Sequence, residues 1–284
     1  MKREDQLTAA PSLPEIKVDS RAPASEAREY LERDRLMAAY ALADIDQPDI
    51  EGSRWWAARR DGEIAAVALV VEGLPFRPCF ATGAPDAVAA IFREGVREPR
   101  ILLATPPRCR PAIEATYRFE RVDHMRRMAV NIGTFRPRIA HPVTRLSADD
   151  LDAVIDLYGH ASRTYFTPER LRRELYFGVY QGDLLVAAAG THVRSKRAGL
   201  AAVGNVLTRL AYRGRGMATT CTSAVTEAAF EDHPDVVLNV RQDNAPAIAV
   251  YERLGYVTHG PFIEGPALRR AAWQRLFGGL KEKK

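Results

Sequence analysis

The residues with most to offer chemically lie between 203 and 256. Thr208-Arg209-Leu210-Ala211-Tyr212-Arg213-Gly214-Arg215-Gly216-Met217-Ala218-Thr219 follows a strand-like run at 203–208 and precedes a helix-like run at 218–230. A strand that empties through a basic, glycine-bearing turn into a helix makes an anion site. The first-turn N–H groups have no intrahelical partner, and the helix dipole adds positive potential there. Gly214 and Gly216 let the backbone approach an anion closely. Arg213 and Arg215 add full charges. The natural guest is a phosphate or pyrophosphate, and the competing reading is an ordinary basic surface turn. The turn lacks both Gly-Lys-Ser/Thr and Gly-x-Gly-x-x-Gly. A second stretch, 238–256, reads as strand, loop, helix and stop. Asn244 is a good N-cap, and Gly255 supplies a left-handed C-terminal residue. Ala247, Val250, Tyr251 and Leu254 stand at i, i+3, i+4 and i+7, so periodicity alone makes Tyr251 a core aromatic.

The elements that must position these residues fall into two halves. A polar arm, 1–25, is expected to be flexible. A helix is expected over 26–45, then strands at 54–60 and 63–71 around the Asp61-Gly62 hairpin turn. The first half continues with a strand at 75–81, a helix at 85–93, a strand at 100–104, a helix at 111–117 and a strand at 122–130. Around 131–142, Gly133, Pro137 and Pro142 mark a linker or a strand crossing between halves. Ser147 caps a helix over 148–158, and Thr167-Pro168 opens another to about 175. Strands at 176–180 and 184–193 flank Gln181-Gly182-Asp183. The glycine turn and its helix, a strand at 236–240, a helix from Ala245 and a short strand at 256–258 complete this half. An amphipathic helix over 267–280 is expected as its tail. The halves share words: Asp61-Gly62-Glu63-Ile64 with Gln181-Gly182-Asp183-Leu184, and Pro111-Ala112-Ile113 with Pro246-Ala247-Ile248. A duplication and a chance likeness between alanine-rich halves both remain open. The first half has no counterpart of Arg-Gly-Arg-Gly.

Composition narrows the function classes. The chain has 284 residues with a net charge of +5, and arginine supplies nearly all of the basic excess. The aromatics are not interleaved with the arginines as a nucleic-acid stacking surface requires, and an anionic ligand explains the sign equally well. Cys79, Cys109 and Cys221 are too far apart in sequence for metal or redox motifs and read as reduced thiols of a cytoplasmic protein. No apolar run is long enough to cross a bilayer.

Arg213-x-x-Gly216-x-Ala218, together with Asn244, Tyr251 and Gly255-Tyr256, resembles the two signatures of the GCN5-related N-acetyltransferase (GNAT) family. The likeness covers about 143–264 and is best from Val203 onward. It implies a mixed, mostly antiparallel sheet flanked by helices, an α/β fold, with the first half a degenerate second copy. The implied domains are 26–135, degenerate, and 136–284, catalytic with a C-terminal helix. The implied reaction is direct attack of an amine on acetyl-CoA. Val206, Leu207 and Thr208 would pair with the pantetheine arm. Arg213, Gly214, Arg215, Gly216, Met217, Ala218 and Thr219 would hold the pyrophosphate. Asn244 would touch the arm with Ala247 beside it, and Tyr251 would face the sulfur as acid. Tyr165, Phe166, His192 and Asn239 are candidates for the acceptor side. The carboxylate base that some relatives carry near the start of the 203–208 strand is missing, which leaves Glu174, His160, His192 or water. The acceptor amine and the choice between monomer and homodimer stay open, neither nucleic acid nor membrane is expected as a partner, and no metal is expected. A non-catalytic CoA-binding regulator is the alternative.

Overall fold

The computed structural model describes residues 15–46, 52–74 and 76–270. In the first half, β1 (Ile16–Asp19) precedes helices α1 (Ala24–Glu32) and α2 (Ala39–Asp46). Strands β2 (Ser53–Arg60), β3 (Glu63–Val71) and β4 (Pro78–Gly83) form an antiparallel meander. Asp61 and Gly62, both at positive φ (50° and 87°), close its first hairpin. Helix α3 (Pro85–Glu94) then crosses to β5 (Arg100–Thr105), which lies parallel to β4. Helix α4 (Arg110–Glu114), β6 (Tyr117–Phe119) and β7 (Asp123–Asn131) end this half.

The second half repeats the order. It runs β8 (Thr144–Arg145), α5 (Leu151–Tyr158), α6 (Pro168–Arg173), then the meander β9 (Tyr176–Gln181), β10 (Leu184–Ser195) and β11 (Leu200–Thr208). Helix α7 (Met217–Ala229) crosses to β12 (Asp235–Arg241), parallel to β11, and α8 (Ala245–Arg253) leads to β13 (Val257–Arg269). All thirteen strands of the described residues join one sheet, and only β4/β5 and β11/β12 are parallel. This is the mixed, mostly antiparallel α/β sheet expected from the sequence.

The last strands are exchanged between the halves. β7 pairs with β12 of the second half, β13 pairs with β5 of the first, and β7 and β13 pair with each other. Each half is therefore closed by the other's final strand. A second seam lies under α1 and α2. Leu31, Ala38 and Leu42 share a core with Ala57 and Val67 of the first half and Leu200, Ala202 and Val237 of the second. Arg35 binds Asp235, and its Nη1 donates to the Ala198 carbonyl at 3.2 Å.

Several expectations need correcting. Residues 16–19 are a strand paired with β2, so the flexible arm does not extend to residue 25; residues 1–14 lie outside the described residues. The helix expected over 26–45 breaks at 33–38, where the Asp34 carboxylate accepts the Met37 N–H at 3.2 Å. An aspartate that bonds its own neighbouring backbone competes with the helical ladder. The strand expected at 256–258 runs to Arg269, so 267–269 are not helical; the rest of the expected tail, from 271, lies outside the described residues, as does Pro75. Gly260, Pro261, Gly265 and Pro266 hid β13, because prolines are rare inside sheets. Here Pro266 offers its carbonyl to the Glu120 N–H at 2.8 Å, and a Cβ on Gly265 would lie 2.0 Å from the Arg121 carbonyl. No helix among the described residues is long and apolar enough to cross a membrane.

Candidate active site

The site begins where two strands part. β11 and β12 pair only through Leu200–Val203 against Asp235–Leu238. Beyond that, β11 stays with β10 and β12 stays with β7, so the parallel neighbours fork. Register shifts between Ala188 and Gly190 and between Thr191 and Val193 mark bulges, and Asn205 sits at φ 51°. Bulges bend a strand and re-aim its side chains. Asn205 and Val206 fall in that irregular stretch, whereas Leu207 and Thr208 regain partners Ala188 and Ala187. A cavity of about 250 Å³ occupies the fork, walled by Val203 to Val206, Asn239 to Arg241, Asn244 and Tyr251, with Tyr40, Met125 and His192.

The glycine turn lies at the end of β11. Gly214 (φ 76°) and Gly216 (φ 83°) are both left-handed, which is why glycine serves there. Added Cβ atoms would meet nothing within 4 Å at Gly214 and only His141 Nε2, at 3.7 Å, at Gly216, so space lies over the turn. Gly216 is the N-cap of α7 and brings no side chain to its first turn, made by Met217, Ala218 and Thr219. Arg213 braces the turn, Nε donating to the Thr208 carbonyl at 3.1 Å, while Arg215 donates to Ala211 and stacks on Tyr212. The stretch expected to be a linker is tied down along α7. Arg138 N–H donates to Ser223 Oγ at 2.8 Å, Ala140 N–H to Thr220 Oγ1 at 3.2 Å, and His141 Nε2 bonds the Arg215 carbonyl at 2.7 Å.

On the other limb, Asn244 caps α8, its Oδ1 accepting the Ala247 N–H at 3.3 Å. Tyr251 is only 6% exposed, and its ring meets Tyr256 edge-on at 6.0 Å. Its hydroxyl has no hydrogen-bond partner among the described residues, and burial pushes its pKa up to about 12. It therefore stays a phenol, able to give a proton, across the neutral range. Asn239 Oδ1 and Thr208 Oγ1 are buried without partners among the described residues. Buried polar atoms left unmatched cost about 1–3 kcal/mol each, which a bound polar group can recover.

The acceptor-side expectations divide. His192 and Asn239 wall the cavity. Phe166 is not an exposed loop residue: at 3% exposure it packs on Tyr158, Tyr165 and Tyr176, with ring centroids 4.6, 5.0 and 5.7 Å apart. Tyr165 stands behind His192, ring centroids 6.3 Å apart, and its hydroxyl accepts from Asn205 Nδ2 at 3.2 Å. Of the three base candidates, Glu174 is 3% exposed and held by Arg173, Arg194 and the Thr191 hydroxyl, so it is structural. His160 lies exposed in a 3-10 turn near Arg163. His192 alone faces the cavity, and burial lowers its pKa below the usual imidazole range. Sequence reasoning missed Tyr40, Met125, Asn205 and His141. Nothing local marks the first two, because they arrive from the other half.

The matching place in the first half is shut. Helix α3 opens with Pro85, which has no N–H, and the Asp86 carboxylate accepts the Ala87 N–H at 3.0 Å and binds Arg60. Between β4 and β5, the Thr105 hydroxyl donates to the Ala81 carbonyl at 2.9 Å. An aspartate occupies the helix end and a threonine stitches the strands.

Comparisons with known proteins agree with this geometry. Residues 176–260 match the model of the FR47-like protein family. No curated protein matches the sequence. Among solved structures, a GNAT-family protein from Novosphingobium aromaticivorans shares 24% identity over 67% of this chain and 84% of its own, with a TM-score of 0.51. A GCN5-related N-acetyltransferase from Sphaerobacter thermophilus shares 16% over 88% and 95%, TM-score 0.55. The tandem GNAT protein from the clavulanic acid biosynthesis pathway shares 13% over 90% and 98%, TM-score 0.53. The whole described chain thus takes the fold of the GNAT structures, and residues 176–260 of its C-terminal half carry the FR47-like sequence.

Proposed function

We propose that this protein is an acyl-CoA-dependent N-acyltransferase that moves an acetyl group from acetyl-CoA to a primary amine, on a small molecule or a protein. The observation that carries the reading is the fork between β11 and β12, with an uncapped helix end at one limb and an unpartnered phenol at the other. The bound donor supplies an activated thioester carbonyl. The amides of Met217, Ala218 and Thr219, with Arg213 and Arg215, meet its diphosphate. The free edge of β11 from Asn205 to Thr208, the Asn244 amide and the orphaned Asn239 oxygen offer partners to the pantetheine arm. A backbone N–H of β11 in the fork stabilises the oxyanion, and Tyr251 protonates the departing sulfur. Holding both reactants in one cavity supplies much of the acceleration.

Isothermal calorimetry with CoA is the direct test, and no uptake of CoA sinks the proposal. Gly216→Val should weaken CoA about tenfold or more, because a β-branched residue is strained at φ 83° and forces the turn to re-form. Tyr251→Phe should lower turnover about 100-fold with CoA affinity unchanged, as expected for loss of a general acid. Unchanged turnover removes Tyr251 from that role. A second reading, a CoA-binding regulator without catalysis, is favoured by one observation: among the described residues no carboxylate walls the cavity. Tight CoA binding with no thiol released across a broad amine screen would support it. We read the first half as a degenerate copy of the second, its anion site filled by Asp86 and its fork closed by Thr105.

A further inference from the structure

We propose that Tyr40 and His192 form a proton-accepting pair across the two halves of the chain, Tyr40 taking the proton that the acceptor nitrogen sheds and His192 receiving the phenol's own. The proposal rests on the acyltransferase reading and adds to it a catalytic residue from the half that has no anion site of its own.

Four observations carry it. Tyr40 is half-buried on α2 of the first half, yet it walls the cavity beside Tyr251 and Asn239. Its hydroxyl lies 3.0 Å from His192 Nδ1. His192 is seated over Gly204, where a Cβ would come within 2.4 Å of both Cε1 and Nε2, so the neighbouring strand has made room for the ring. Asn205, held by its amide to the Tyr165 and Tyr176 hydroxyls at 3.2 and 2.9 Å, also bonds His192 in the sense that favours the charged ring. Nδ1 is the nitrogen that meets the Tyr40 hydroxyl, so it is the one placed to receive the Tyr40 proton. Among the described residues no carboxylate walls the cavity to do this work instead.

The step balances without another reactant. The amine lone pair bonds to the acyl carbon as the carbon–sulfur bond breaks. The nitrogen's surplus proton passes to the Tyr40 oxygen while the Tyr40 proton passes to His192 Nδ1, leaving a phenol and an imidazolium. The sulfur takes its proton from Tyr251. His192 then returns one proton to solvent and Tyr251 regains one. Two features suit the pair to this. Burial leaves His192 neutral before the step; burial and Arg170 weigh against the imidazolium that forms, and Asn205 and Glu174 favour it. Arg127, whose guanidinium lies 4.9 Å from the Tyr40 ring centroid, opposes the upward push of burial on the Tyr40 pKa.

The test uses the full chain, acetyl-CoA and a panel of primary amines: glycine, putrescine, tyramine and a peptide with a free N-terminus. Thiol release gives turnover, and calorimetry gives acetyl-CoA affinity. Tyr40→Phe keeps the ring and removes only the hydroxyl, while His192→Gln keeps polarity and removes the basic nitrogen. Each should lower kcat on the best amine about 100-fold, with both KM values within about threefold, and the double variant should be no slower than the slower single one. A merely structural hydrogen bond would not leave KM untouched while removing kcat. Tyr40→Phe or His192→Gln within threefold of the parent kcat overturns the pair and leaves the acyltransferase reading standing, and so do additive losses. Acetyl-CoA binding with no amine consumed by the parent protein removes that reading and the pair with it.

Discussion

A chain cut to residues 136–284 should fail to fold by itself, although it holds the entire FR47-like stretch. The cut removes β7, which lies between the two strands that end the second half. Seven residues of β7 are in register with β12 and seven with β13. Without it, β12 loses one neighbour, and β13 loses both β7 and β5. Met128 and Val130, fully or nearly fully buried in the second half's core, leave with it. Each such side chain is worth about 1.5–3 kcal/mol of burial, and each net hydrogen bond about 1 kcal/mol. Met128 and Val130 at about 3–6 kcal/mol together, plus about a dozen lost ladder bonds at about 1 kcal/mol each, come to about 15–18 kcal/mol, above the roughly 5–15 kcal/mol by which a domain is stable. The truncated chain should give no cooperative thermal transition by circular dichroism, and co-expression with residues 1–135 should restore one. A truncated chain that melts cooperatively within a few degrees of the intact protein would show that the exchanged strands add little.

The same exchange explains what could and could not be read from the residues alone. The glycine turn and the Asn244 cap were legible because each is set by neighbours within a turn or two, and the three-four spacing showed Tyr251 as a buried helical aromatic, while its part as acid came only from the family resemblance. The meanders were legible because Asp61-Gly62 and Gly182 impose their own hairpins. β13 was not, since its prolines argue locally against a strand and only the distant partners β5 and β7 favour one. Tyr40 was not, because its place beside His192 spans 152 positions and depends on α2 packing over β10 and β11. Phe166 misled in the opposite sense. An aromatic before a helix-opening proline looks like a loop residue, and only the tertiary cluster of Tyr158, Tyr165 and Tyr176 buries it.

Gly204→Ala should abolish most activity while leaving the protein folded. The new Cβ would stand 2.4 Å from His192 Cε1 and Nε2, closer than real Cβ contacts come. Gly204 has no positive φ, so alanine meets no backbone strain, and the clash is the whole effect. The ring has somewhere to go, because His192 borders a cavity of about 250 Å³. Gly190 differs in this respect: its Cβ would strike the fully buried Tyr176 ring at 2.1 Å, with no such space beside it. Swinging His192 aside breaks its 3.0 Å bond to Tyr40 and its bond to Asn205, and moves an aromatic ring into the volume that the acceptor would use. Loss of a proton-accepting group costs about 10²–10⁴-fold. On the proposed mechanism, any outward shift of β11 also moves the backbone N–H that would face the oxyanion, a further loss of up to about 10²–10³. A fall of about 1000-fold in kcat is therefore expected, with the melting temperature within a few degrees of the parent and CoA affinity weakened far less than turnover, since the glycine turn follows Thr208, the last residue of β11, and not Gly204 at its middle. If kcat stays within tenfold, the imidazole is not where the reaction needs it, and the proton must leave the acceptor nitrogen by water instead.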